Sequence, residues 1–311
     1  MHISFIIPCY GSEKTIEFVV TELIAKMSEK PDIDYEIIAV NDCSPDAVWS
    51  VLNHLSEQHD CLKLIDLAKN MNRPGAVMAG LRMSSGDIAV IMDDDGQCPV
   101  SELWQLLEPL QHDFDVSMAK YPQRKQTWFK SFGTWVNRKM TEFIIKKPKN
   151  LEFTNFMAIK RYVVDEMIRY DNPYPYLTGL LLRTTKHITN VEMEQRSRYT
   201  GASSFTFLKM FSLWSNGLTA FSVRPLRVAS VLGFFFAMAG FLYGIWKIIL
   251  KLLHPSIPVG YSSIVVFILI IGGIIMMMLG LIGEYIGRIY ISLNHSPQYV
   301  IRKTVGFTKN P

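Results

Sequence analysis

Charge is what the chain most lacks: only 19% of its 311 residues are Asp, Glu, Lys or Arg, against about 25% in ordinary soluble domains. The shortage is local. The 56-residue stretch Val228–Gly283 holds two charged side chains, Lys247 and Lys251, and the remainder returns to about 23%, a normal globular value. Cysteine is also scarce: Cys9, Cys43, Cys61 and Cys98 are far apart and form no CxxC pair. That spacing excludes a zinc ribbon or disulfide scaffold and points to free thiols in a reducing compartment. Neither charge sign is in large excess, the net charge being +4 with no block of like charges, so no nucleic-acid partner is expected. No dinucleotide fingerprint follows the first apolar run and no P-loop signature occurs. The start, MHISFIIPCY, has no basic segment and no long apolar core, so the front of the chain is expected to stay in the cytoplasm.

The low-charge stretch is long enough to enter a bilayer. Val228–Trp246 is uncharged over 19 residues and Pro255–Gly283 over 29; as helices rising about 1.5 Å per residue, each reaches across a ~30 Å hydrocarbon layer. Pro255 and Pro258 mark a turn between them. Basic residues flank the outer ends, Arg224 and Arg227 before the first, Arg288, Arg302, Lys303 and Lys309 after the second. The expectation is a multi-pass inner-membrane protein with both termini cytoplasmic. The aromatic segment Phe205–Phe221 is read either as an interfacial helix touching membrane lipid or as an ordinary core helix.

The front is read as α/β. Short apolar runs at Ile3–Ile7, Glu36–Val40, Leu62–Leu67 and Asp87–Met92 alternate with helix-like stretches Glu13–Lys30, Asp46–Gln58 and Pro74–Met83. Near-continuous apolar strands separated by helices imply a parallel sheet covered on both faces, with ligands at the strand carboxyl ends. Polar residues collect at those ends: Pro8-Cys9-Tyr10, Asn41 to Ser44, Lys69-Asn70 and Asp93-Asp94-Asp95.

Three adjacent carboxylates repel one another and call for a cation or a water-filled edge. In an extended segment Asp93 and Asp95 share one side with Gln97, a donor set for Mg²⁺ or Mn²⁺ holding a diphosphate, while Asp94 faces away. Asp42 is placed either to bind a base or ribose or to cap the helix near Asp46, and Tyr10 either to stack on a base or to pack.

In order along the chain, PCY (Pro8–Tyr10), EIIAVNDCSPD (Glu36–Asp46), LAKN (Leu67–Asn70), AGL (Ala79–Leu81) and MDDDGQCP (Met92–Pro99) resemble the motif series of family 2 glycosyltransferases. The group most resembled is the polyprenyl-phosphate glycosyltransferases, bacterial relatives of dolichol-phosphate mannose synthase. RSRYTGASSF (Arg196–Phe205), FSVRPLR (Phe221–Arg227), GEYIGRIY (Gly283–Tyr290) and SPQYVIRK (Ser296–Lys303) extend the likeness over nearly the whole chain. It implies a GT-A nucleotide-sugar domain at 1–204, juxtamembrane helices at 205–227, a two-helix transmembrane hairpin at 228–290 and a cytoplasmic tail at 291–311. The implied reaction is inverting transfer of a sugar from an NDP-sugar donor to a polyprenyl phosphate acceptor. Pro8, Tyr10, Glu13, Asp42, Asn70 and Asp94 would border the nucleotide. Asp93, Asp95 and Gln97 would hold the metal and diphosphate. Arg124 and Arg198 with Ser203 would approach the phosphates, a task suited to bidentate guanidinium; a solvated basic loop is the other reading of Arg124.

The chain departs from that series in places. Gly11-Ser12 stands where the family has Asn-Glu, Asn41 and Cys43 replace an Asp and a Gly, and Thr154-Asn155-Phe156-Met157 replaces Gly-Asp-Phe-Arg. The last change loses a carboxylate and an arginine together and motivates a second reading, a non-catalytic membrane partner. A processive polysaccharide synthase is a third, though its Gln-x-x-Arg-Trp motif is missing. Gly272, Gly273, Gly280, Gly283 and Gly287 permit close helix approach, leaving a homo-oligomer open.

Overall fold

The computed structural model describes residues 1–122, 148, 151–194, 196, 224–253, 260–294 and 297–307. The chain divides into two units, Met1–Met210 with His295–Pro311, and Phe211–Asn294.

The first unit is built on an eight-stranded sheet. In chain order its elements are β1 (His2–Cys9), α1 (Ile16–Met27), β2 (Asp34–Asn41), α2 (Val48–Gln58), β3 (Leu62–Leu67), α3 (Asn72–Met83), β4 (Ile88–Ile91), the short α4 (Leu103–Leu107), β5 (Val116–Lys120), β6 (Met157–Lys160), α5 (Arg161–Ile168), α6 (Leu177–Thr184) and β7 (Ile188–Glu192). The strand order is β7-β5-β6-β4-β1-β2-β3-β8, where β8 (Ile301–Val305) arrives from the far end of the chain. Strands β1 to β4 are mutually parallel; β6 lies antiparallel to β4 and to β5, and β8 antiparallel to β3. The apolar runs read from sequence are the parallel centre, and they are buried almost end to end: Ile3, Phe5, Ile6, Ile7, Ile37, Ile38 and Val40 have no exposed surface. Helices on both faces leave such strands no polar side, which is why they read as continuous rather than alternating.

Helix α3 lies close against the sheet. A Cβ on Gly80 would fall 2.4 Å from Ile6 Cγ2, so the absence of a side chain there sets the approach of helix to strand. At the amino end of the strands, buried Glu36 joins Ser4, Lys63 and Ser85. Burial pushes its carboxyl up, but those donors outweigh it and hold it at about 2. The polar groups at this end are spent on structure; the opposite end is different.

The second unit contains α7 (Arg224–Leu253, 30 residues) and α8 (Tyr261–Leu293, 33 residues). The rings of Tyr243 and Phe267 meet at 5.2 Å between the two helices. Phe234, Phe235, Phe241, Ile268 and Met276 are exposed, an apolar surface unlike that of a soluble bundle. Among the described residues one segment, Ile271–Ile291, has the length and mean hydropathy (1.6) to cross a membrane, and Gly233–Trp246 is a shorter apolar stretch. Helix α7 contains the uncharged run Val228–Trp246, and α8 contains Tyr261–Gly283 of the second run. Residues 205–223 lie outside the described residues.

Candidate active site

The loops after β1, β2, β3 and β4 are tied into one network. Tyr10 N–H donates to Asp94 Oδ2 at 3.0 Å, and the Thr15 hydroxyl to the Asp94 carbonyl at 2.7 Å, joining the first loop to the fourth. Gly11 N–H donates to Ser44 Oγ at 2.8 Å, joining the first to the second. Met71 N–H donates to Asp42 Oδ1 at 2.7 Å, joining the third to the second. Arg73 Nε donates to Asp93 Oδ1 at 2.7 Å, joining the third to the fourth. Four polar clusters far apart in sequence thus form a single site at the carboxyl edge of the parallel strands, as such sheets provide.

The acidic triplet is arranged differently from its extended reading. Strand β4 ends at Ile91 and the chain turns through Asp94 and Asp95 to Gly96, whose φ is +73°. Gly96 fits because it lacks the Cβ that opposes a left-handed backbone. Asp93 and Asp95 therefore do not follow the alternation of a strand. Asp93 is held through both oxygens, Oδ1 by Arg73 and Oδ2 by Asn155 Nδ2 at 2.6 Å, and Arg73 reaches on to the Asn155 carbonyl at 3.2 Å. Asp95 Oδ1 accepts from Gln97 N–H at 3.1 Å. Among the described residues no three His, Cys, Asp or Glu side chains converge on one point. Asp95 and Gln97 carry oxygen atoms of the kind a hard cation takes, and both are half-buried in the turn. One carboxylate and an amide oxygen fit a divalent ion that takes its other ligands from a diphosphate and water.

Asp42 is buried, and it lies beside the Met71 and Asn72 N–H groups that open α3. It does not cap α2. That work falls to Asp46, which accepts from Val48 N–H at 3.3 Å and Glu13 N–H at 2.9 Å, while Glu13 accepts from Ala47 N–H at 3.0 Å. Glu13, expected to border the nucleotide, is thereby committed to clasping the first two loops. Tyr10 stands exposed at the rim, open to a stacking partner. Asn70 accepts from Asn72 N–H at 3.1 Å and shapes the entry to α3. Pro8 closes β1 opposite Val40. Arg124, Arg198 and Ser203 lie outside the described residues. Beside the turn opens a cavity of about 550 Å³ lined by Glu102, Lys120, Tyr121, Glu152, Glu192 and Met193, within the size range of ligand pockets. Its Tyr121 phenol is pushed up by burial first and then by Cys98, Asp93 and Asp95.

Burial raises the Asp42 carboxyl to about 6, against the pull of the Met71 and Asn72 N–H groups. Asp94 is also raised to about 6, by burial first and by the Asp93 charge, with the Ser12 hydroxyl and Tyr10 N–H opposing. Between about pH 4 and 6 the folded chain keeps a proton on Asp42 that the unfolded chain has lost, so this residue's contribution to stability falls as pH rises through that window. Asp42→Asn keeps an acceptor for Met71 N–H and removes the penalty. The variant is expected to be more stable than the unaltered chain by roughly 2 kcal/mol above pH 7 and to converge with it near pH 4. Denaturant unfolding at both pH values checks this; equal stability at pH 7 contradicts it.

Arg73 and Asn155 were missed from the sequence as members of the site, and Ser44 was placed at the strand end without a role. Asn155 stood in a segment already marked. Arg73 carried no such signal beyond its place in the first turn of a helix that opens at a strand's carboxyl end.

Residues 4–168 match the family described as Glycosyl transferase family 2, and residues 224–289 match GtrB C-terminal hairpin. The SfII prophage-derived bactoprenol glucosyl transferase of Shigella flexneri is 32% identical over 98% of each chain. The undecaprenyl-phosphate 4-deoxy-4-formamido-L-arabinose transferase of Proteus mirabilis is 28% identical over 99% of this chain and 95% of its own. Among solved structures, mannosyl-3-phosphoglycerate synthase from Rubrobacter xylanophilus aligns with a TM-score of 0.51 at 14% identity, covering 73% of this chain and 74% of that one. Glucosyl-3-phosphoglycerate synthase from Mycobacterium tuberculosis, in complex with Mn²⁺, UDP-glucose and phosphoglyceric acid, aligns with a TM-score of 0.50 at 16% identity, covering 69% and 79%. At such identities the structural likeness concerns the GT-A fold alone.

Proposed function

Because this chain belongs to glycosyl transferase family 2, we propose that it transfers one sugar from a nucleoside-diphosphate sugar to a membrane polyprenyl phosphate, giving a polyprenyl-phosphate sugar. The carrying observation is the closed network of four strand-end loops around the Asp93–Asp95 turn. The acceptor class is supported by relatives of nearly full length that are named for bactoprenol and undecaprenyl phosphate. Asn155, whose lost carboxylate favoured a non-catalytic partner, donates to Asp93, so that departure leaves the site assembled.

Tyr10, Asp42 and Asn70 line the nucleotide end, and Asp94 holds the Tyr10 backbone in place. Mg²⁺ or Mn²⁺ held by Asp95 and Gln97 would supply positive charge against the departing nucleoside diphosphate. Arg73 keeps Asp93 neutralised beside that diphosphate. A phosphate monoester is already largely a dianion at neutral pH, its second pKa being about 6, so no side chain needs to deprotonate the nucleophile. Positioning then carries the reaction, and a single displacement from the face opposite the leaving group inverts the anomeric carbon. Arg124, Arg198 and Ser203 serve the phosphates. Helices α7 and α8 form a two-span hairpin with both termini cytoplasmic, supported by the low-charge stretch, its basic flanks and the matched hairpin family. Membrane attachment raises the local concentration of a lipid acceptor.

The test is incubation of membranes containing the full chain with polyprenyl phosphate, Mn²⁺ or Mg²⁺ and a panel of labelled UDP-, GDP-, CDP- and dTDP-sugars. Label in the lipid phase from one donor is the expected result. No labelled lipid with any donor, beside an active control, overturns the proposal.

A further inference from the structure

The carboxyl-terminal strand reaches two of the site's loops. Strand β8 pairs antiparallel with β3, Asp66 facing Lys303 and Leu67 facing Ile301, so the register slips at Arg302. An extra residue at such a bulge re-aims its side chain. Here Arg302 Nε donates to Asp66 Oδ2 at 2.7 Å. Asp66 is buried, and burial of a carboxylate is tolerated only when its oxygens are bonded. Its other oxygen, Oδ1, accepts from Asn41 Nδ2 at 2.8 Å. The strand register sets this up, placing Cys9, Asn41 and Asp66 side by side across β1, β2 and β3.

Asn41 passes the constraint on. Its Oδ1 accepts from Ser44 N–H at 3.1 Å, and the Ser44 hydroxyl receives Gly11 N–H and donates to Asp46. A second contact acts on the third loop, where Ala68 N–H donates to the Val300 carbonyl at 2.8 Å. Asp42 grips the same loop three residues later, at Met71 N–H. The chain after α8 is thus hydrogen-bonded directly to the third loop and, through Asp66, to the Asn41–Ser44 loop that contains Asp42.

We infer that Arg302 is a positioning residue of the nucleotide site: through Asp66 and Asn41 it fixes the Asn41–Ser44 loop, so β8 is a working part of donor binding. This rests on the proposed sugar-nucleotide reaction. The Asp66 carboxylate beside it keeps Arg302 fully protonated, so the contact persists across the working pH range. A guanidinium lost at position 302 leaves Asp66 buried with Asn41 as its remaining charge-directed donor, and the amide turns to compensate. The loop then samples other positions and the donor binds less tightly, whereas the reacting centre at Asp95 is untouched.

The experiment uses the full chain in detergent or nanodiscs. Calorimetry with UDP, GDP, CDP and dTDP in Mn²⁺ identifies the nucleotide bound by the unaltered protein. Arg302→Met and Asn41→Ala are expected to weaken that nucleotide, and to raise the donor KM, about tenfold, or ~1.4 kcal/mol, with kcat and the acceptor KM within twofold. Arg302→Lys, which keeps the charge, is expected to stay within threefold of the unaltered protein. A purely structural contact would instead reduce the active fraction, lowering kcat at unchanged donor KM. That outcome, or unchanged affinity in both Arg302→Met and Asn41→Ala, overturns the inference. If Arg302→Met does not fold, Asn41→Ala decides the matter from the other end of the relay. Failure of the unaltered protein to bind any nucleotide is a different result and counts against the sugar-nucleotide reaction itself.

Discussion

Asp95→Ala is expected to lower kcat for sugar transfer by about 10³-fold, or ~4 kcal/mol, while the protein stays folded. The asymmetry within the triplet is the reason. Asp93 has both oxygens engaged by Arg73 and Asn155, and Asp94 is engaged with Tyr10 N–H, whereas Asp95 is the carboxylate that the proposed reaction assigns to the cation beside the diphosphate. Its Oδ1 accepts from Gln97 N–H within the turn. The measurement is initial rate at saturating donor and acceptor across a Mn²⁺ titration, with thermal unfolding as the control for folding. A variant that keeps full metal-dependent transfer contradicts the assignment.

The second large effect is expected at Arg73. Arg73→Met leaves Asp93 with Asn155 alone and exposes the donor diphosphate to an unneutralised carboxylate. Both partners are about three-quarters buried, with side-chain exposures of 28% and 23%, so the lost pair is less screened than a surface one. A fall of about 10²-fold in kcat/KM for the donor, ~3 kcal/mol, is the expected size. Arg73→Lys restores charge but not the fork that reaches Asp93 and the Asn155 carbonyl together, and should recover only part of the loss. Arg82, on the same helix, pairs with Asp171 at the surface, and Arg82→Met serves as the control with kcat/KM within twofold. Equal effects at positions 73 and 82 would show that the Asp93 contact has no special role.

Much of the parallel centre was legible because each strand is a continuous β-branched run bounded by a helix pattern, and β1 to β4 with α1 to α3 appear where that alternation puts them. Strands β5, β6 and β7, of four or five residues each, are too short to display a period. Strand β8 was unreadable for another reason: IRKTV alternates weakly, and its partner β3 lies more than two hundred residues earlier. The carboxyl-terminal segment was read as a tail after the last span, and its place at the sheet edge follows from pairing that no local pattern encodes.

The site was legible by residue type and less so by role. Strand-terminal position gathered Pro8, Tyr10, Asp42, Asn70 and Asp93 to Asp95 correctly onto one edge. Two aspartates four residues apart, Asp42 and Asp46, offer the same chemistry to a helix start, and only the backbone decides that Asp46 caps α2 while Asp42 faces α3. The alternation assumed for Asp93 and Asp95 failed because β4 stops at Ile91 and Gly96 turns the chain. The paired loss of a carboxylate and an arginine at Asn155 and Met157 looked like damage in one dimension. In three, an amide at 155 and a guanidinium from α3 meet at Asp93, and Met157 is buried in β6 against its neighbours.

The most direct test of the central claim is mass spectrometry of the lipid product. Purified full-length protein is incubated with polyprenyl phosphate, Mn²⁺ and the donor that labels lipid. The account predicts a lipid heavier than the acceptor by one sugar residue with its single phosphate retained, formed one-for-one with released nucleoside diphosphate and not formed from the unphosphorylated polyprenol. Release of nucleoside diphosphate with no lipid product, or a ladder of added sugars, would contradict it.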